Sequence, residues 1–198
     1  MGTSIGSVLF DGVEELDFVG PWEVFSMAAQ LRHDVRVETL ARSTDPVRCA
    51  KGMRVIPERA MGPDSDLDIL LVPGGQGTRR VVDDPAMIDW LRDVARRCSW
   101  VTSVCTGALL LCEAGLAGAR RVTTHWSFVD SLRKCYPDTE VLGDVRYVRD
   151  GNLVTAAGVS AGIDMALWLA GQLWGVEVAR QTQRLMQYDP TPPYTADV

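Results

Sequence analysis

The sequence has no excess of positive charge, no cysteine pair spaced C-x-x-C, no charged leader followed by a long apolar segment, and no apolar run long enough to span a bilayer. Each absence closes a class. A formal net charge of -6 disfavours nucleic acid and anionic membrane surfaces as partners, because both are bound through clustered Lys and Arg. Short apolar runs exclude a membrane-spanning helix. An odd count of five cysteines without a leader points away from disulfides and secretion, and so to a cytoplasmic setting. The glycine-rich stretches match neither G-x-x-x-x-G-K-[ST] nor G-x-G-x-x-G, which disfavours nucleotide phosphates. Cys98, Cys105 and Cys112 fall on a helix end, a corner and a helix body, so they do not converge on a metal. No cofactor is expected.

What is present is apolar material, 46% of 198 residues, enough to bury one continuous core, and the chain reads as a single domain over residues 1–198. Residues 5–10 form an apolar run ended by Asp11-Gly12, and a helix follows to about Leu31. Asp34 to Ala41 alternates as a strand. Val47 to Ile56 suits a hairpin around Lys51-Gly52 at the sheet edge, and Asp66 to Val72 is a buried strand. Asp84-Pro85 opens a helix reaching Arg97, Arg121 to His125 reads as a strand, and Phe128 to Tyr136 as a helix. Tyr147 to Ala157 suits a hairpin, and Val176 to Tyr188 a last helix before an extended tail over residues 189–198. Strands alternating with helices imply an α/β fold, a mainly parallel sheet sandwiched by helices with a small edge hairpin.

The stretch Trp100 to Glu113, W-V-T-S-V-C-T-G-A-L-L-L-C-E, passes from β-branched residues to strong helix formers with no loop between. One residue must make the corner, and it is Cys105. Its side chain is expected beyond the carboxyl edge of the sheet, beside the N–H groups that open a helix. There its pKa should fall and the thiolate should act as a nucleophile.

Asp17 stands among Leu16, Phe18 and Val19. It is either a helix cap or a desolvated acid facing a site, and periodicity does not choose between them. Pro73-Gly74-Gly75-Gln76-Gly77 directly follows a strand, so its N–H groups can approach a ligand and form an oxyanion hole. His125 reads as a hydrogen-bonded structural histidine. Gly158 keeps the start of a later helix thin.

Five stretches, F-D-G-V-E-E-L-D-F-V-G-P-W-E-V-F, L-L-V-P-G-G-Q-G, V-C-T-G-A-L-L-L-C-E-A-G-L, T-T-H-W and T-A-A-G-V-S-A-G-I-D-M-A-L, occur in that order. Together they resemble the glutamine-amidotransferase-like (ThiJ/PfpI) superfamily, which implies a flavodoxin-like sandwich with a nucleophile elbow. True amidotransferases add a downstream His-x-Glu, whereas His33 and His125 here are followed by Asp34-Val35 and Trp126-Ser127. Protease-like and glyoxalase-like relatives place histidine directly after the cysteine, a position held here by Thr106. An early aspartate combined with Cys-Thr-Gly looks like the isonitrile hydratase branch. That resemblance implies hydration of a small apolar isonitrile to an N-substituted formamide, with water as the second substrate, no metal or cofactor, and a homodimer. It carries Cys105 over as nucleophile, Asp17 as general acid and base, and Thr106 as a hydroxyl and backbone donor beside the thiol. Gly74, Gly75, Trp22 and Gly158 become binding or wall residues. The other class in view is a ligand- or redox-sensing domain of the same superfamily. Regulators of that kind add a helix-turn-helix module, and this acidic sequence offers no basic recognition helix.

Overall fold

The computed structural model describes residues 2–190, so most of the expected tail lies outside the described residues. In chain order the first half runs β1 (Thr3–Val8), α1 (Glu15–Leu31), β2 (Val35–Ala41), β3 (Val47–Arg48), β4 (Arg54–Val55), β5 (Arg59–Ala60), β6 (Ile69–Val72), α2 (Thr78–Val81) and α3 (Pro85–Ala95). The second half runs β7 (Trp100–Val104), α4 (Gly107–Glu113), β8 (Arg121–Val122), α5 (Val129–Cys135), β9 (Glu140–Val141), β10 (Tyr147–Asp150), β11 (Leu153–Ala156), α6 (Ala161–Trp174) and α7 (Val176–Leu185). Among the described residues no helix is long and apolar enough to cross a membrane.

Seven strands form the main sheet in the order β10-β11-β7-β6-β1-β2-β5, parallel throughout except for β10, which folds back on β11 as an antiparallel edge hairpin. Alternation decides what each face buries. Ile5 on β1 and Ile69 on β6 face α1 and α6, where they pack with Val24, Phe25, Ala166 and Leu169. Val8, Leu70 and Val72 face the other way, toward Met87, Leu91, Ala108 and Leu111 of α3 and α4. Both faces are covered, as the near-continuous apolar strands require.

Two local expectations change. The hairpin over residues 47–56 exists, but β3 and β4 pair only with each other, and the sheet edge is β5. The strand expected to reach His125 stops at Val122 and pairs with β9 outside the main sheet. Side chains take over beyond that point: Thr155 Oγ1 accepts from the Thr123 N–H at 2.7 Å, and Thr124 Oγ1 donates to the Cys105 carbonyl at 2.8 Å. Those bonds replace a ladder.

The chain leaves β1 toward β2 and β5, then returns across β1 to β6 and β7. Where the winding direction reverses, the loops after β1 and β6 separate and leave a crevice at the carboxyl edge of the sheet. Asp17, Gly74 and Cys105 follow β1, β6 and β7 into that crevice.

Candidate active site

Cys105 makes the corner between β7 and α4 with φ +57, in the left-handed region that a side chain disfavours. Holding a residue there costs on the order of 1–3 kcal/mol, so the surroundings must impose it. They do so from three sides. The Cys105 N–H donates to the Ala157 carbonyl at 2.7 Å, and the Cys105 carbonyl accepts from Thr124. At Gly107, two residues on, a Cβ would run into the Val72 carbonyl and stand 2.9 Å from that of Pro73. Only glycine lets α4 start so close to the end of β6.

Asp17 is fully buried in the first turn of α1. It does not cap the helix, because the residue preceding α1 is Glu14, which makes no side-chain cap. Its Oδ2 accepts from the Gly74 N–H at 2.9 Å, while Oδ1 is buried without a hydrogen-bond partner of regular geometry among the described residues. Burial pushes the carboxyl up to about 7. The Glu14 charge adds to the rise, and the Gly74 N–H, the Cys105 thiol and the Lys51 ammonium oppose it.

The thiol corrects the expectation of a lowered pKa. Burial pushes Cys105 up to about 12 and the Asp17 charge reinforces it, against the N–H groups of Thr106 and Val159, which donate to the sulfur. Desolvation outweighs the helix end. Both groups of this coupled pair are pushed up by burial, and Asp17 remains the more acidic, so the carboxyl ionises before the thiol.

The glycine loop also departs from the sequence reading. Gly74 and Gly75 do not present free N–H groups: the first is spent on Asp17 and the second donates to Thr106 Oγ1 at 3.0 Å. The Thr106 hydroxyl faces that loop, lying 3.2 Å from the Gly75 carbonyl and 3.2 Å from Thr78 Oγ1, so it is the Thr106 backbone N–H that meets the thiol. Thr106→Val should therefore strand the Gly75 N–H and reduce unfolding free energy by about 1–3 kcal/mol, read by urea denaturation. Unchanged stability would remove the hydroxyl from this role.

Gly74 leaves no room for a side chain. A Cβ there would collide with Thr106 N and stand 2.7 Å from Thr106 Oγ1 and 2.9 Å from Asp17 Oδ2. Gly74→Ala should push the loop off both residues, lower stability by about 1–3 kcal/mol and slow Cys105 alkylation. A variant as stable as the parent would show that the loop has slack.

Beside Cys105 opens a cavity of about 160 Å³ whose side-chain lining includes Glu14, Gln76, Arg79, His125, Ser127 and Val159. This lining is largely polar, although the resemblance implies a small apolar substrate. Trp22 is not part of it. Five residues along α1 turn a side chain by about 140° from Asp17, so one helix does not aim both into a single cavity. Gly158 contributes indirectly, since a Cβ there would stand 2.7 Å from His125 Cδ2. His125 Nδ1 accepts from the Ser127 N–H at 3.3 Å and lies 2.8 Å from Ser127 Oγ. That pattern makes His125 the cap of a short 3-10 turn.

Sequence reasoning missed Val159, Glu14, Lys51 and Arg79. Val159 has φ +36, an unusual conformation for a β-branched residue, and this turn aims its N–H at the sulfur. Lys51, at the hairpin tip, ion-pairs with Glu14, and its N–H donates to Glu15 Oε1 at 2.8 Å.

Residues 4–172 match the DJ-1/PfpI family. An isonitrile hydratase of Pseudomonas putida is 38% identical over 98% of this chain and 82% of that protein. The HTH-type transcriptional regulator CdhR of Pseudomonas aeruginosa is 33% identical over 88% of this chain, which spans 52% of the regulator. Among solved structures, a THiJ/PfpI family protein from Pseudomonas syringae superposes with a TM-score of 0.89 at 32% identity, covering 100% of this chain and 80% of the other. Drosophila melanogaster DJ-1beta superposes with a TM-score of 0.83 at 21% identity over 96% of this chain and 100% of its own, a likeness of fold. With the family match running from β1 into α6 and the sheet order, the cysteine corner and the buried acid built on that same span, the chain belongs to the DJ-1/PfpI family.

Proposed function

We propose that this chain hydrates isonitriles to N-substituted formamides, with Cys105 as the nucleophile and Asp17 as the proton relay. The observation that carries this reading is a cysteine held at a strained corner beside a fully buried carboxyl, each group shifting the other's proton affinity. The carbon of an isonitrile takes up a proton and a nucleophile at the same atom, so one proton and one thiolate are what the first step consumes. Asp17 draws the proton from sulfur and hands it to that carbon as sulfur adds, which leaves a thioimidate. The carboxylate, regenerated, then takes a proton from water as the water oxygen attacks the same carbon. Breaking the C–S bond releases the formamide, and nitrogen and sulfur recover the two hydrogens of water. The Thr106 and Val159 N–H groups stabilise the sulfur anion while it exists.

The 38% identity to a protein named isonitrile hydratase supports the same reaction, and the relation to a transcriptional regulator supports a second reading as a sensing domain. One experiment separates them. The purified protein is incubated with cyclohexyl isonitrile and N-cyclohexylformamide is sought by gas chromatography and mass spectrometry. Formamide accumulating in proportion to enzyme supports the hydratase. Saturable binding without formamide, repeated with smaller isonitriles, would replace it with the sensor.

A further inference from the structure

Arg79 stands at the mouth of the Cys105 cavity. Its Nη1 is spent inward, donating to the Gly75 carbonyl at 3.0 Å, to Thr78 Oγ1 at 3.0 Å and to Thr106 Oγ1 at 3.3 Å. Its guanidinium carbon lies 4.7 Å from the centroid of the Phe128 ring. A guanidinium anchored at one nitrogen and stacked on a ring has already given up the freedom that usually makes an exposed arginine a weak partner. Among the described residues no carboxylate pairs with it, and its Nε and Nη2 make no hydrogen bond. The acid across the cavity, Glu14, is engaged by Lys51 and does not pair with Arg79. Close to the thiol there is thus one fixed cation with an uncompensated fork, in a space of about 160 Å³ that suits a compact ligand.

We propose that the Cys105 cavity takes a small substrate bearing a carboxylate, received by the Nε and Nη2 edge of Arg79. On the hydratase reading, on which the substrate class rests, this is a short isonitrile with a carboxylate near the isocyano carbon and not a bulky hydrocarbon one. A planar fork holds a carboxylate at two points, which fixes both position and orientation of the reacting carbon.

The test does not depend on isonitrile turnover. Cys105 is alkylated with iodoacetate and with iodoacetamide, the modified peptide is quantified by mass spectrometry, and the ratio of the two rates is divided by the same ratio for glutathione. Taking the ratio cancels any common change in thiol reactivity. The wild type should favour iodoacetate by about tenfold, equivalent to about 1.4 kcal/mol. Arg79→Met should return to the glutathione value, Arg79→Lys should keep part of the preference, and about 0.5 M salt should shrink it. A wild-type ratio equal to that of glutathione, or an enhanced ratio that survives Arg79→Met, would overturn the anion site. Turnover of isocyanoacetate and its methyl ester is then compared, with kcat/KM for the acid falling about tenfold relative to the ester in Arg79→Met. Iodoacetate preference without hydration of either compound keeps the anion site and sinks the hydratase. Hydration of cyclohexyl isonitrile without iodoacetate preference does the reverse.

Discussion

Cys105→Ala is expected to abolish formamide production, by a factor on the order of 10⁴ or more, because no other group in the cavity can form the thioimidate. The fold should survive. The thiol lies at a corner whose shape is set by backbone bonds to Ala157 and Thr124, and alanine keeps both. Unfolding in urea should shift by no more than about 1 kcal/mol. The matched control is Cys112→Ala, which removes another buried thiol, seven residues away on α4, and should remain active. A raised thiol pKa does not single Cys105 out, for burial pushes Cys49 up to about 11 and Cys98 and Cys112 to about 12. What Cys105 has in addition is Asp17, two backbone donors and an open cavity. Substantial turnover by Cys105→Ala, prepared free of wild-type protein, would end the covalent mechanism.

The sequence makes the corner at Cys105 legible because β-branched residues meet helix formers there with nothing between them, and no tertiary contact is needed to read that. Asp17 is legible only as an oddity. An acid among apolar neighbours announces itself, but whether it caps its own helix or faces another loop depends on Gly74, which arrives from 57 positions away. The direction of the thiol pKa is hidden for a related reason: the helix end is local and visible, while desolvation comes from the whole surrounding fold. Val159 and Arg79 lie further out of reach. Each matters through one contact made by a distant turn, and neither residue type suggests it.

Asp17→Asn is expected to lose turnover as completely as the cysteine variant while making the protein more stable. The amide keeps the shape and retains an oxygen to accept from the Gly74 N–H, but it neither carries a proton to carbon nor takes one from water. The stability gain follows from linkage. An aspartate near 3.8 when unfolded and about 7 when folded binds its proton more tightly in the native state. Its burial therefore costs little below about pH 3.8, progressively more as pH rises, and about 4 kcal/mol once pH exceeds about 7. Asparagine carries no such charge. Wild type and Asp17→Asn unfolded in urea at pH 5 and pH 8 should differ more at pH 8, with the variant the more stable. In the active wild type, kcat/KM should rise through about pH 7 as the pair passes from two protons to one, then level off. A helix cap behaves the other way: removing its charge costs stability near neutral pH, where the carboxylate satisfies the helix N–H groups. Normal turnover by Asp17→Asn, or a variant less stable at pH 8 than the parent, would leave Asp17 a structural residue and Cys105 without its proton relay.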